Sequence, residues 1–288
     1  MPGALKSLLF VVVATLWISI ASPCAAGDFE GPWGLQLYSL RAQLATNVPD
    51  TLNEVKHWGV QNVELAGTYD LSAEQFKAQL DLHDLKPVSA HFPYDEYRTN
   101  LDALVHDARV LGLQYAGCAW IPRNDDQPFD EQKCREAIAV FNRAGEVLAR
   151  HGITFFYHPH GYEFQPYQDG TLFDLMMKET NPQYVHFQMD VFWIVHPGQD
   201  PVALLKKYRR RWDMMHLKGM RASAPTGLLT GQTDVTNNIA LGAGKIDYVP
   251  ILREAKKIGI KWYFVEDESP SSEQQIPESI HYLKTVKW

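Results

Sequence analysis

Eight times along this chain a short apolar run is followed by an amphipathic helical pattern, at intervals of about 30 residues. The predicted strands are Trp33–Tyr38, Asn62–Leu65, Pro87–His91, Tyr115–Ala119, Ile153–His158, Tyr184–Asp190, Trp212–His216 and Lys261–Glu266. The predicted helices between and after them are Pro49–Trp58, Ser72–His83, Asn100–Leu111, Asp130–Arg150, Thr171–Glu179, Pro201–Tyr208, Tyr248–Ile258 and Glu273–Val286. Gly59, Gly112, Gly152 and Gly259 stand where four helices should stop, because glycine accepts the left-handed conformation that ends a helix. Strands that alternate with helices pair in parallel. Eight such units close into a (β/α)8 TIM barrel, and an open doubly wound sheet is the competing arrangement. The first strand runs into Ser39-Leu-Arg41 with no glycine-rich phosphate loop, which weighs against the open sheet. The chain has 288 residues, and a single barrel uses about 250 of them.

The remainder is at the N-terminus. Lys6 precedes an apolar run from Leu8 to Ile20, and Ser22, Pro23, Cys24, Ala25 and Ala26 follow. A basic start, a short apolar stretch and small residues describe a secretory signal peptide over residues 1–26, with the barrel occupying 27–288. The run holds 13 residues, too few to span a bilayer, which takes about 20. The expected location is therefore outside the cytoplasm, without stable membrane insertion. Removing Lys6 leaves 26 basic against 34 acidic residues, a net charge of −8. That balance disfavours nucleic acid and anionic membranes as partners. Export permits a disulfide between Cys118 and Cys134, though the pattern places one on a strand and the other on a helix.

In a (β/α)8 barrel the chemistry gathers at the carboxyl ends of the strands. Those ends carry Glu64, His91, His158 with His160, Asp190, His216 and Glu266. Carboxylates and imidazoles converging on one mouth are costly to bury unless something pairs with them. One divalent cation answers that cost, and His158, Asp190, His216 and Glu266, on strands five to eight, form the expected ligand set. Two nitrogens and two oxygens favour Mn²⁺, Co²⁺, Fe²⁺ or Zn²⁺ over Mg²⁺, which prefers oxygen ligands alone. Glu64 and His91 divide between substrate contact and support of the ligands. His196, in the loop expected after strand six, is a further candidate for the pocket. Gln36 and Tyr38 share a strand face and form an expected pocket floor. Trp120 and Trp193, just past strand ends, are placed to stack on a sugar ring.

The segments Leu35-Gln-Leu-Tyr-Ser39, Val63-Glu-Leu65, Ser89-Ala-His91, Tyr157-His-Pro-His160, Met189-Asp-Val-Phe-Trp193, His216-Leu-Lys218, Gly242-Ala-Gly-Lys-Ile-Asp247 and Phe264-Val-Glu-Asp-Glu268 follow one another in a recognisable order. In these the chain resembles the xylose-isomerase-like superfamily of sugar isomerases and epimerases. The resemblance implies one divalent metal and proton abstraction beside a carbonyl, with Glu266 as a base and a small-molecule sugar as substrate. It also exposes a departure. Family members that interconvert ketoses carry Glu at the end of strand five, where this chain has His158. Glu163 is the nearby carboxylate that would supply a second base, and Lys218, two residues beyond His216, would stabilise the developing oxyanion. The leading expectation is a metal-dependent isomerase or epimerase of a non-phosphorylated sugar. A lyase or hydratase of 3-keto-sugars or 3-keto-glycosides is the runner-up, favoured by His158 and by export. A nuclease with three metals and a non-catalytic sugar-binding barrel are weaker alternatives.

Overall fold

The computed structural model describes residues 29, 31–123 and 128–287; the expected signal peptide lies outside them. Eight parallel strands close a barrel: β1 Trp33–Gln36, β2 Asn62–Leu65, β3 Lys86–His91, β4 Tyr115–Cys118, β5 Thr154–Tyr157, β6 Val185–Asp190, β7 Trp212–Leu217 and β8 Trp262–Val265. Neighbours follow chain order, with β8 beside β1. The open-sheet alternative is thereby excluded.

Local chemistry sets the helix boundaries. Helix Ala73–Leu82 starts at a capping box, in which Ser72 and Gln75 satisfy each other's backbone N–H. Helix Glu131–Arg150 starts where the Asp130 carboxylate accepts from the Lys133 N–H. Helix Tyr248–Ile258 ends at Gly259, whose φ of 84° a side chain would strain. Short helix Arg41–Thr46 goes beyond the sequence pattern, and so do two others. One, Tyr94–Thr99, precedes helix Leu101–Val110. The other, Val191–Val195, is apolar throughout, so it has no polar face to give it a period. Its start is set instead by the Asp190 carboxylate, which accepts from the Trp193 N–H at 3.1 Å.

Two packed zones hold the barrel. The larger lies between strands and helices. The smaller fills the barrel interior with Val88, Tyr115, Phe156, Met214 and Phe264. Strand alternation then stacks polar residues on that apolar floor: His158 above Phe156, His216 above Met214, and Glu266 above Phe264. Gly117 makes room for the floor, since a Cβ there would stand 2.1 Å from the Phe156 ring. Gly117→Ala is expected to cost about 1–3 kcal/mol, read as a lower urea midpoint with unchanged slope. Cys118 and Cys134 are both buried and free, so the disulfide that the sequence allowed is absent.

Candidate active site

Register brings the strand ends together. Asp190 pairs with His216 across β6 and β7, and His216 with Phe264 across β7 and β8. Ligand atoms of Asp190, His216 and Glu266 consequently lie within 4.8 Å of one another, all buried. His216 Nδ1 is 2.8 Å from Glu266 Oε2 and 3.8 Å from Asp190 Oδ2. His158 joins from β5, with Nε2 3.7 Å from Asp190 Oδ2. Three of the four residues expected to share an ion, Asp190, His216 and Glu266, form one such group, while His158 groups with His91 and His216 and borders the first through Asp190.

Charge tells the same story. Asp190 Oδ2 is buried without a hydrogen-bond partner among the described residues. Such an atom costs free energy that an ion would offset. Burial pushes the Asp190 carboxyl up to about 6, against the pull of the Lys218 ammonium. His216 sits between two carboxylates. Burial opposes its charge, but Glu64 and Glu266 win and raise it to about 10. The donors fit a divalent cation: a buried orphan oxygen, a second carboxylate and two imidazoles, each hydrogen-bonded on its far side.

This charge pattern has a pH signature. A histidine raised from 6.5 to about 10 stabilises the folded state fully below 6.5, and that contribution is lost as pH rises towards 10. Zn²⁺ must displace the His216 proton, so its binding strengthens over the same range. The rise in Tm on adding Zn²⁺ is expected to be larger at pH 8.5 than at pH 6, as thermal unfolding with and without the ion will show.

Beneath the ligands, Glu64 is fully buried. It accepts from Gln36 Nε2 at 2.7 Å, Ser89 Oγ at 2.6 Å and Gln188 Nε2 at 2.8 Å, and His216 Nε2 lies 2.5 Å away. Burial alone would raise its carboxyl, yet the fields of His91 and His216 and these hydrogen bonds hold it down at about 2. Lys218 lies beside Glu266 Oε2 at 3.4 Å, pairs with Glu268 Oε1 and stands 3.8 Å from Asp190 Oδ2. It still shares the His216 side, although β7 ends at Leu217.

Above the cluster opens a cavity of about 790 Å³. His91, His158, His160, Trp120, Trp193, Tyr38 and Glu266 line it. Part of its wall comes from the long segment after β7, which folds back through the pairing of Gly219–Met220 with Asn238–Ile239. His160 is packed between the rings of Trp120 and Trp193, with centroids 5.4 and 5.2 Å away. Its Nδ1 has no hydrogen-bond partner among the described residues. Burial, then the Lys218 charge, pushes its pKa down to about 3, so it enters the site as a neutral imidazole.

Several expectations are corrected by this geometry. Gln36 is not a pocket floor. β1 ends there, and its side chain accepts from the Tyr38 N–H and donates to Glu64, while Tyr38 turns out to the rim. Glu64 likewise lies behind His216 and away from the cavity lining. Glu163 is turned away: its carboxylate accepts from the Tyr157 hydroxyl and from the N–H groups of His160 and Gly161. It ties down the loop after β5 and is no second base. His196 follows the short helix Val191–Val195 and stacks on Phe192, with centroids 6.0 Å apart, outside the cavity lining. Lys218 is also outside that lining, held behind Glu266 and Glu268. The sequence reading missed Gln188 and Ser89. Their signal was present, since Gln188 stands two residues before Asp190 and so shares its inward face.

Comparison with known proteins agrees with the geometry. An inosose dehydratase of Clostridium tetani is 26% identical over 265 residues, spanning 82% of this chain and 87% of the relative. The crystal structure of a sugar phosphate isomerase/epimerase from Parabacteroides distasonis superposes with a TM-score of 0.73 at 25% identity, covering 89% of this chain and 99% of that one. The zinc-containing structure of the IolI protein shares the fold with a TM-score of 0.67 at 17% identity, over 88% of this chain and 95% of its own. The sequence profile described as xylose isomerase-like TIM barrel matches residues 52–286. The chain belongs to the xylose isomerase-like TIM barrel family.

Proposed function

We propose that this protein is a divalent-metal-dependent lyase or hydratase that removes water, or an equivalent β-substituent, from a non-phosphorylated cyclic keto-sugar. The carrying observation is that one carboxylate serves the cavity at the ion cluster. The interactions of Glu266 with His216 and Lys218 run through Oε2, and the residue lines the cavity, so Oε1 is the oxygen proposed to meet the substrate. The position where ketose epimerases hold their second base is His158, and Glu163 is consumed by its loop. Two-sided proton transfer lacks its second base, whereas elimination needs only one. The dehydratase names of the curated relatives point the same way.

His158, Asp190, His216 and Glu266 would hold the ion, which supplies Lewis acidity to the substrate carbonyl when bound. Glu266 Oε1 accepts the proton from the carbon beside that carbonyl. The C–H electron pair forms the C=C bond as the C–O bond to the β-hydroxyl breaks. The proton taken by Glu266 passes to the departing β-hydroxyl, which leaves as water, and His160 Nδ1, unpartnered among the described residues, holds that oxygen by a hydrogen bond. Lys218 keeps Glu266 and Glu268 in place. Trp120 and Trp193 stack on the sugar and keep water from the reacting face. The described cavity lining holds Glu96, Asp107, Glu266 and Glu268 and neither Lys nor Arg. A phosphate group would find no counter-charge there, so the substrate is a neutral sugar. The N-terminal pattern supports action outside the cytoplasm.

The test is a screen of Zn²⁺-, Mn²⁺- and Co²⁺-loaded protein against keto-inositols, 3-keto-sugars and 3-keto-glycosides, read by mass spectrometry and by NMR in D₂O. An unsaturated or hydrated product supports the proposal. Deuterium gained at carbon with a rearranged sugar of unchanged mass formula contradicts it and restores the isomerase.

A further inference from the structure

Gln188 lies at the centre of the polar layer, and each of its amide atoms has a defined task. Nε2 is 2.8 Å from Glu64 Oε2, while Oε1 is 2.8 Å from His158 Nδ1 and 3.0 Å from His91 Nε2. The amide orientation can be read from its neighbours. The Tyr38 N–H donates to Gln36 Oε1 at 3.0 Å, which turns the Gln36 NH₂ towards Glu64. Glu64 therefore accepts, and it does so from Gln36, Ser89, Gln188 and His216 together. An atom facing Glu64 from Gln188 must be a donor, so its oxygen faces the two imidazoles. Both imidazoles must then donate to it.

The geometry points to Gln188 as a positioning residue that holds His158 in the Nδ1–H tautomer, so that the Nε2 lone pair is presented towards Asp190 and a bound cation. This rests on the proposed ion site, and it adds the group that makes His158 a ligand. Were the proton on Nε2, that N–H would point towards Asp190 Oδ2, 3.7 Å away and beyond hydrogen-bond distance, and would offer a cation nothing. The oxygen of Gln188 is what selects between these states, in the way that a hydrogen-bond acceptor behind a metal-binding histidine fixes its tautomer. The same amide carries the selection to Glu64, and through Glu64 to His216 Nε2, whose Nδ1 faces Glu266 and Asp190. One side chain thus couples the two imidazole ligands.

The test uses full-length protein with ¹⁵N-labelled histidine, and long-range ¹H–¹⁵N NMR with and without Zn²⁺. Removal of one signal set in His158→Asn identifies that ring. The expected wild-type spectrum shows His158 protonated on Nδ1 in both conditions. Gln188→Leu is expected to mix the tautomers and weaken Zn²⁺ binding about 10- to 100-fold. Gln188→Glu alone sets two carboxylates side by side and is expected to do at least as much harm. The double variant Glu64→Gln with Gln188→Glu restores an acceptor facing the imidazoles and a donor facing residue 188, and should recover most of the affinity and the single tautomer. An Nε2–H signal for His158 in the wild type overturns the proposal, whether or not Gln188→Leu folds. So does a Gln188→Leu protein with wild-type tautomer and Zn²⁺ affinity. Wild-type protein with His158 protonated on Nδ1 but no affinity for Zn²⁺ upholds the tautomer assignment and contradicts the proposed function instead.

Discussion

His216→Ala is expected to abolish Zn²⁺ binding and to destabilise the metal-free protein by about 3–5 kcal/mol, the usual cost of removing one partner from a buried ion pair. The size follows from position. His216 stands between Glu64 Oε1 at 2.5 Å and Glu266 Oε2 at 2.8 Å, and the first of these side chains is wholly buried. Without the ring, two acidic groups share a pocket with Lys218 as the remaining nearby ammonium, on the Glu266 side. Titration with Zn²⁺ measures the first effect, and urea unfolding measures the second. A His216→Ala protein of wild-type stability and wild-type Zn²⁺ affinity would mean that the cluster is not organised around this residue.

Glu266→Gln carries the second large effect. The amide preserves shape and one oxygen but cannot take a proton, so turnover should fall by about 10²- to 10⁴-fold, the range that positioned proton transfer contributes. Zn²⁺ should still bind, more weakly, because Asp190, His216 and His158 remain. The decisive comparison is kcat at matched metal content. Undiminished turnover in metal-replete Glu266→Gln would assign the proton transfer to another group, and His160 would be the first to examine. Loss of turnover with loss of all metal would assign Glu266 to binding alone.

Much of this site is legible from the sequence because a (β/α)8 barrel turns strand ends into neighbours. His158, Asp190, His216 and Glu266 each end a predicted strand, and closure of the barrel does the rest. What the pattern hides is direction and depth. Gln36 and Tyr38 read as one face of a strand, yet β1 stops at Gln36 and the next turn carries Tyr38 out to the rim. Glu163 reads as a free loop carboxylate. The left-handed Gly161, at φ 93°, instead folds the loop so that its own N–H groups capture the acid. His196 reads as a loop residue because Val191–Val195 has no polar face, and the helix becomes apparent only when Asp190 is seen to cap it. Gln188 went unnoticed for a different reason. An amide neither titrates nor binds a metal strongly, so its importance lies wholly in the groups it orients.

The double role of Asp190 also explains why this fold pairs a barrel end with a short helix. One oxygen caps Val191–Val195 through the Trp193 N–H, and this fixes the carboxylate so that the other oxygen faces His158, His216 and Lys218. The same cap sets the backbone from which Trp193 lines the cavity. Ion site and sugar platform are therefore built from one turn of chain.

The position of a bound ion is the most direct test of the site. Anomalous X-ray diffraction at the zinc edge, from crystals of the full chain grown with Zn²⁺, will locate it. The predicted result is a single buried peak within bonding distance of Asp190 Oδ2, His216 Nδ1, Glu266 and His158 Nε2. A peak elsewhere, or none at these four side chains in Zn²⁺-saturated crystals, would contradict it.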